Sequence, residues 1–263
     1  MQNIQLFHGD CMEVMKGIPD KSIDMVLCDP PYGTTILEWD QPLDLDKLWK
    51  QYERIIKDNG AIVLFAQTPY DKILGCSNLK LLRYEWIWEK PQATGHLNCN
   101  DAPMKSHENI LIFYKKLPTF NPQKTQNHKP VNKFKKTKEN QNRTKFYNLQ
   151  EKEYSGGGST ERYPRSVLLF PSDKQKLNCH ETQKPLALLG YLIETYTNEN
   201  DIILDNCMGS GGTGVAAKYL NRKFIGIEIT EKYFKIAKRR LNGEIFFNKT
   251  EEPGLNYKLP GFE

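Results

Sequence analysis

Asp29-Pro30-Pro31-Tyr32 sets a carboxylate, two imino acids and a phenol in four consecutive positions. It follows Ile23-Asp24-Met25-Val26-Leu27-Cys28, a short apolar run with the character of a buried strand. Neither proline has an N–H for a sheet ladder, so the strand must stop at Asp29. Each proline fixes its own φ and biases the residue before it towards extended backbone. The product is an acid at a strand end, on a stiff loop, with an aromatic ring beside it. Such an acid could accept hydrogen bonds from a held substrate. Taken alone, the tetrapeptide reads first as a strand followed by a proline turn, and the rest of the chain has to decide.

A second stretch narrows the choice. Asp201-Ile202-Ile203-Leu204 predicts a short strand, and Asp205-Asn206-Cys207-Met208-Gly209-Ser210-Gly211-Gly212-Thr213-Gly214 follows it. A helix over 215–220 and a strand over 224–229 come next, with Glu228 at that strand's end, 17 residues beyond Gly211. Strand, glycine loop, helix and acid-terminated strand make half of a nucleotide-binding unit. Glycines let backbone approach a ligand at a helix N-terminus, and the acid can take ribose hydroxyls. The Gly-x-x-x-x-Gly-Lys-Ser/Thr pattern is missing, since Lys218 comes too late for it, and this argues against a nucleoside triphosphate. Two smaller stretches flank these anchors. Gly9-Asp10-Cys11 closes a strand over 3–8, and Thr182-Gln183-Lys184-Pro185 precedes a helix.

Together these four motifs resemble the DNA amino-methyltransferases, which use S-adenosylmethionine. That family pairs an Asp/Asn/Ser-Pro-Pro-Tyr/Phe loop with a Phe-x-Gly-x-Gly loop; Cys207 stands here in place of the phenylalanine. The order, with the catalytic loop first and the cofactor loop last, is similar to that of the β group. The resemblance spans residues 4–116 and 180–241. It implies an α/β, doubly wound, mostly parallel seven-stranded sheet with an inserted DNA-recognition region. It also implies roles. Asp29, Pro30, Pro31 and Tyr32 would be catalytic, with Tyr32 stacking on a flipped base. Glu228 would hold the cofactor's ribose, and Asp10 with Cys11 its adenine. Lys184, Asp205, Cys207, Gly209, Ser210, Gly211 and Thr213 would surround its methionine part. Asp at the first motif position favours adenine N6 over cytosine N4, because the cytosine enzymes more often carry Ser there. An N4-cytosine enzyme, an inactive DNA-binding homologue and an RNA or protein methylase are the competing readings. No Pro-Cys dipeptide occurs, which argues against C5-cytosine chemistry and its cysteine nucleophile.

The positioning elements follow from periodicity. Met12 to Lys16 predicts a short helix. Leu45, Leu48, Trp49, Tyr52, Ile55 and Ile56 recur at helical spacing, giving a helix over 45–58 with Asn59-Gly60 as its C-terminal stop. A buried strand over 61–66 and a helix over 71–79 come next. Two successive strands, 84–90 ending before Pro91 and 107–114, predict an antiparallel edge. Gly33 to Pro42, with Trp39, is a polar loop or lid. Leu188, Leu189, Leu192, Ile193 and Tyr196 form one helix face, and Thr230 caps a last helix bearing Tyr233, Phe234, Ile236, Ala237 and Leu241 inward.

Charge divides the chain. Residues 115–176 hold 15 Lys and Arg against five acids, a net of +10, while the whole chain carries +5. We therefore read 1–116 and 179–263 as the catalytic domain and 117–178 as a basic insert for double-stranded DNA. Its candidate DNA contacts are Lys124, Lys129, Lys133, Lys135, Lys136, Lys138, Arg143, Lys145, Arg162 and Arg165. Aromatic residues from Phe120 to Phe170 are interleaved with them, most as a small core and some as stacking contacts. Gly156-Gly157-Gly158 predicts a flexible loop. No metal is expected, because neither His96 with Cys99 nor Cys179 with His180 has a second pair at ligand spacing. The six scattered cysteines, the absence of a signal-peptide pattern and the lack of an apolar span point to a cytoplasmic, bacterial or phage-encoded protein without a membrane. A homodimer and a cognate restriction endonuclease remain open as partners.

Overall fold

The computed structural model describes residues 3–33, 40–135, 155–172 and 183–244. In chain order the elements are β1 (Ile4–His8), α1 (Cys11–Met15), β2 (Ile23–Cys28), α2 (Leu45–Ile55), β3 (Ile56–Ala66), α3 (Tyr70–Ser77), β4 (Leu82–Thr94) and β5 (Lys105–Phe113). Then come β6 (Phe134–Lys135), β7 (Ser155–Gly156), β8 (Val167–Leu169), α4 (Leu186–Tyr196), β9 (Ile202–Asp205), α5 (Gly212–Tyr219), β10 (Lys223–Glu228) and α6 (Glu231–Leu241).

The described residues form two compact units, one from the chain up to Asn121 together with the part from Arg165 to 244, the other within Pro122–Pro164. The larger unit holds one sheet in the order β1-β10-β9-β2-β3-β5-β4-β8. β1, β10, β9, β2 and β3 are mutually parallel, and β5 runs antiparallel to both β3 and β4. The predicted antiparallel edge is present. Among the described residues the sheet has eight strands rather than seven, because Val167–Leu169 adds in parallel to β4. Phe170 is buried against Tyr191, and Phe120 packs edge-on against Tyr196. The compact unit Pro122–Pro164 is thus narrower than the compositional insert 117–178.

The central strands read as unbroken apolar runs because both faces are covered. Met25, Val26 and Leu27 of β2 and Val63 and Leu64 of β3 are fully buried. α2 lays Leu48, Tyr52 and Ile55 on the face that carries Val26, Cys28, Ile62 and Leu64, and its start is capped by Asp44, which accepts from the Lys47 amide at 3.1 Å.

Several local expectations are corrected. α2 ends at Ile55, and Asn59-Gly60 lies inside β3 rather than stopping a helix. The β2–β3 register is irregular there, jumping from Ile23↔Ile56 to Met25↔Ala61. A Cβ on Gly60 would lie 2.8 Å from the Asp24 carbonyl, so the irregularity demands glycine. β4 continues past Pro91 to Thr94, because no ladder pair is made between Glu89 and Thr94 and the missing N–H costs nothing. α5 starts at Gly212, three residues before the expected Val215. Thr230 occupies the N-cap position of α6 without a side-chain cap bond; the Glu228 carboxylate takes the Thr230 amide instead, at 2.7 Å.

In the smaller unit β6 pairs antiparallel with β7, and Thr125 bridges Arg162. Gly156 belongs to β7 and Gly157 sits at φ +120°. Among the described residues no helix is long and apolar enough to cross a membrane, and no cluster of three or more His, Cys, Asp and Glu could hold a metal. Trp39, Phe146, Tyr147, Tyr154, Cys179, His180 and Thr182 lie outside the described residues.

Candidate active site

Strand order brings the acids together. β1, β10, β9 and β2 are adjacent and parallel, so the residues at or just beyond their carboxyl ends line one edge in the order Asp10, Glu228, Asp205 and Asp29. From β9 the chain proceeds outward to β10, and from β2 it proceeds the other way to β3. The crevice between β9 and β2 is therefore the switch point where ligands bind in open α/β sheets.

On the β2 side, Asp29 is engaged at both oxygens. The Tyr32 hydroxyl donates to Oδ1 at 2.5 Å, and Lys184 Nζ donates to Oδ2 at 2.5 Å. The Asp29 side chain is 26% exposed. Burial pushes its carboxyl above the ordinary value, and the Glu108 charge adds to this, against the Lys184 ammonium and the Tyr32 hydroxyl. Pro30 is buried and Pro31 half-buried. Tyr32 is pinned by Asp40, whose Oδ1 accepts from the Tyr32 and Gly33 amides at 2.7 and 2.9 Å. Its ring stacks on Tyr70 with centroids 5.2 Å apart.

Lys184 lies just ahead of α4 and contacts Asp29, where the resemblance implied the methionine end of the cofactor. It also faces Glu108 Oε2 at 3.2 Å, and Glu108 Oε1 in turn meets Lys90 Nζ at 2.6 Å. Burial works to lower the Lys184 pKa, but the two carboxylates outweigh it and hold it above the ordinary value. Burial likewise works against Glu108, and the two ammonium groups bring its pKa below the usual range. Glu108, Lys90 and Asp40 were not among the sequence candidates. Each is a charged residue in a stretch read for its pattern alone; charges inside strands β4 and β5 hinted at Lys90 and Glu108, and nothing hinted at Asp40.

On the β9 side the glycine loop is held from several directions. Gly209 and Gly211 adopt φ +51° and +79°. A Cβ on Gly211 would lie 2.9 Å from Ala237 Cβ. Glu228 Oε2 accepts from the Gly209 amide at 2.8 Å. Arg240 of α6 donates to the Ser210 carbonyl at 2.8 Å and to its hydroxyl at 2.9 Å. Arg240 was also missed, although it shares a helical face with Tyr233, Ala237 and Leu241. Asp205 is buried, accepts from the Cys207 amide at 3.1 Å and is hydrogen-bonded by Thr213. Burial nonetheless raises its pKa to about 7. Asp10 caps α1, its Oδ1 accepting from the Met12 amide at 2.6 Å.

The floor between the two sides is sulfur-lined. The Cys207 thiol hydrogen-bonds with the thiols of Cys11 and Cys28, so three small polarizable groups meet at the position where the resemblance implied a phenylalanine in place of Cys207. Tyr52 of α2 donates to Asn206 at 2.5 Å and braces this floor.

Of the basic candidates, Lys124 pairs with Glu161 at 2.9 Å. Arg162 donates to the carbonyls of Ser159 and Glu161 at 3.0 and 2.9 Å, and to that of Lys129, so it braces its own unit. Lys129, Lys133 and Arg165 are exposed. Lys136, Lys138, Arg143 and Lys145 lie outside the described residues, as does the Lys135 side chain.

Comparison with known proteins decides the family. The sequence model of the family described as DNA methylase matches residues 23–239. The chain belongs to the DNA methylase family. This DNA methylase is 31% identical to the type II methyltransferase M2.LlaDCHI of Lactococcus lactis subsp. cremoris, over 92% of this chain and 90% of that one. It is 30% identical to the DNA adenine methyltransferase YhdJ of Escherichia coli K12, over 90% of this chain and 82% of that one. Among solved structures it is similar to M1.HpyAVI in complex with SAM, with a TM-score of 0.58 and 26% identity over 91% of this chain and 99% of that one. It shares the fold of the cytosine-N4-specific PvuII DNA methyltransferase, with a TM-score of 0.65 at 15% identity over 96% and 89% of the two chains. The enzyme is a DNA methyltransferase, and its methyl donor is S-adenosylmethionine.

The crevice fits that donor. The left-handed glycines keep the loop free of side chains where the ligand approaches. Gln183 Nε2, beside Ser210, is a buried donor with no acceptor among the described residues, suited to a carboxylate. Asp205 is a buried acid suited to a cation.

Proposed function

We propose that this DNA methylase methylates the N6 amine of an adenine flipped out of double-stranded DNA, at a specific site, as part of restriction-modification or DNA protection. The observation that carries the reading is Asp29 at the end of β2, set across the switch crevice from the glycine loop.

S-adenosylmethionine would supply an electrophilic methyl group. Glu228 would hold its ribose and Asp10 with Cys11 its adenine, while Asp205, Cys207, Gly209, Ser210, Gly211 and Thr213 would surround its methionine part. The residues of the chain do the rest. An exocyclic amine is a poor nucleophile because its lone pair is delocalised into the ring. Asp29 and the Pro30 carbonyl accept hydrogen bonds from its two N–H groups and draw the nitrogen towards tetrahedral geometry. The nitrogen–carbon bond would form as the methyl's bond to the donor sulfur breaks, and the surplus amine proton would pass by way of Asp29 to solvent. Pro31 keeps the loop stiff, and the Tyr32 ring stacks on the flipped base. No covalent intermediate with the protein is needed.

The basic residues between 117 and 178 supply the DNA surface in this reading, chiefly the exposed Lys129, Lys133 and Arg165. It places the protein in a bacterial cytoplasm, and leaves a homodimer and a cognate endonuclease as partners to be sought. The test is methyl transfer from labelled S-adenosylmethionine to unmodified bacterial DNA, followed by nucleoside digestion. N6-methyl-2′-deoxyadenosine is expected; N4-methyl-2′-deoxycytidine in its place would reassign the base, and no transfer would overturn the reading.

A further inference from the structure

Four charges of alternating sign run inward to the reacting centre. Lys90 Nζ lies 2.6 Å from Glu108 Oε1, Glu108 Oε2 lies 3.2 Å from Lys184 Nζ, and Lys184 Nζ lies 2.5 Å from Asp29 Oδ2. The string is neutral overall and half-buried or better at every member. It joins β4, β5, the segment ahead of α4 and the end of β2, so no local pattern accounts for it. The ammonium of Lys184 is further confined between the rings of Phe65 and Tyr32, at 5.1 and 5.9 Å from their centroids. Lys90 lies over the Trp88 ring. Groups this constrained hold one geometry.

We propose that Glu108 is a positioning residue which, through Lys184, gives the two oxygens of Asp29 different tasks: Oδ2 is kept by the ammonium, and Oδ1, held here by the Tyr32 hydroxyl, is surrendered to the target amine. This rests on the methyl-transfer reading above. The physical reason is the inequality of the two donors. Both bonds end on the carboxylate, but only the ammonium adds a full opposite charge to the hydrogen bond, and the Lys184 bond is held from behind by Glu108. The incoming amine therefore displaces the hydroxyl. The Tyr32 ring, released from Asp29, is then free to lie on the base. Glu108 also balances the Lys184 charge, so that Asp29 remains an effective acceptor instead of being fully neutralised by its ion pair.

The groups facing Asp29 are Lys184, Glu108 of β5, Tyr32 and Cys28 on its own segment, Asp205 of β9 and Tyr70 of α3. The test titrates Asp29 directly, by the carboxyl carbon-13 signal that vanishes in Asp29→Asn. Glu108→Gln should move its midpoint down, and Lys184→Met should move it up. Methyl transfer in a single turnover should fall roughly a hundredfold in Glu108→Gln, as expected for a misplaced acceptor, with partial rescue by Glu108→Asp. Affinity for S-adenosylmethionine, measured by calorimetry, should change little in Glu108→Gln. Tyr32→Phe should lower the KM for DNA roughly tenfold, the lower end of what one competing hydrogen bond to a charged acceptor is worth. An Asp29 midpoint that moves in neither variant overturns the proposal, as does a raised KM in Tyr32→Phe. Loss of cofactor binding in Lys184→Met with an unmoved midpoint also overturns it and returns Lys184 to the cofactor. If the unmodified protein methylates no DNA, the functional reading fails, while the titration still decides the roles of Glu108 and Lys184.

Discussion

Glu228 Oε2 accepts the Gly209 amide at 2.8 Å, which fastens the glycine loop to the end of the neighbouring strand. Its Oε1 takes the Thr230 amide at 2.7 Å and so starts α6 with the same carboxylate. One buried acid thus shapes the loop and the helix that backs it. Glu228→Gln places an amide donor against one of these backbone donors. We expect a loss of about 1–3 kcal/mol in stability and weaker binding of S-adenosylmethionine. Thermal unfolding with and without the cofactor reads both.

Asp29→Ala should remove methyl transfer, by at least about a hundredfold, and leave cofactor binding in place. The acceptor lies on β2, across the crevice from the glycine loop. Calorimetry beside a transfer assay separates the two effects; transfer retained at near the original rate would strip Asp29 of its role.

Asp205 should impose a pH dependence on folding. Its folded value is about 7 against the ordinary 3.8. Between these limits the native state holds a proton that the unfolded chain has released. Stability therefore falls as pH rises from about 4 to about 7, by roughly 4 kcal/mol in total, and is flat above that. Asp205→Asn should abolish this part of the slope. Urea unfolding of both proteins at pH 5 and pH 8 provides the comparison.

Thiol reactivity should sort by position. Cys76 and Cys99 are exposed, whereas Cys11 and Cys28 are buried. Burial pushes the Cys28 thiol up to about 11, and its neighbours' hydrogen bonds together with burial push Cys207 higher than the ordinary range. At neutral pH iodoacetamide should label Cys76 and Cys99 well before Cys11, Cys28 and Cys207. Peptide mass mapping over time would expose any reversal of that order.

Neutralising Lys129, Lys133 and Lys138 to Gln should weaken binding to duplex DNA and flatten its salt dependence, by about 0.9 in slope for each phosphate that is no longer paired with a cation. Arg162 is a poor choice for this purpose, because its bonds to the carbonyls of Ser159 and Glu161 brace the fold. Fluorescence anisotropy across a salt series gives the slope, and an unchanged slope would place the DNA surface elsewhere.

Much of this was legible in the sequence. The parallel strands, the antiparallel edge, the amphipathic α2 and the glycine loop follow from periods of two and of 3.6 and from residue type over short windows. Errors fell where tertiary packing overrode a local signal. Asn59-Gly60 has the composition of a helix stop, yet the β2–β3 irregularity needed a glycine against the Asp24 carbonyl. Pro91 has the composition of a strand stop, yet it falls where β4 makes no ladder pair. Arg240 escaped notice because a charged residue on an otherwise apolar helix face is ordinarily assigned to solvent; here the Ser210 loop takes its hydrogen bonds.

By itself the sequence determined that an acid ends a stiff strand, that a glycine loop ends another, and that a basic stretch lies between them, since these depend on neighbours along the chain. Only the tertiary structure decided what each acid does. Strand order set Asp10, Glu228, Asp205 and Asp29 along one edge, and the fold brought Lys184 across 155 residues to Asp29, with Glu108 behind it. Charge interactions act through space, growing as the gap shortens and as the surroundings lose dielectric strength. Their pattern is therefore fixed by which strands are adjacent, and separation along the chain carries no record of it.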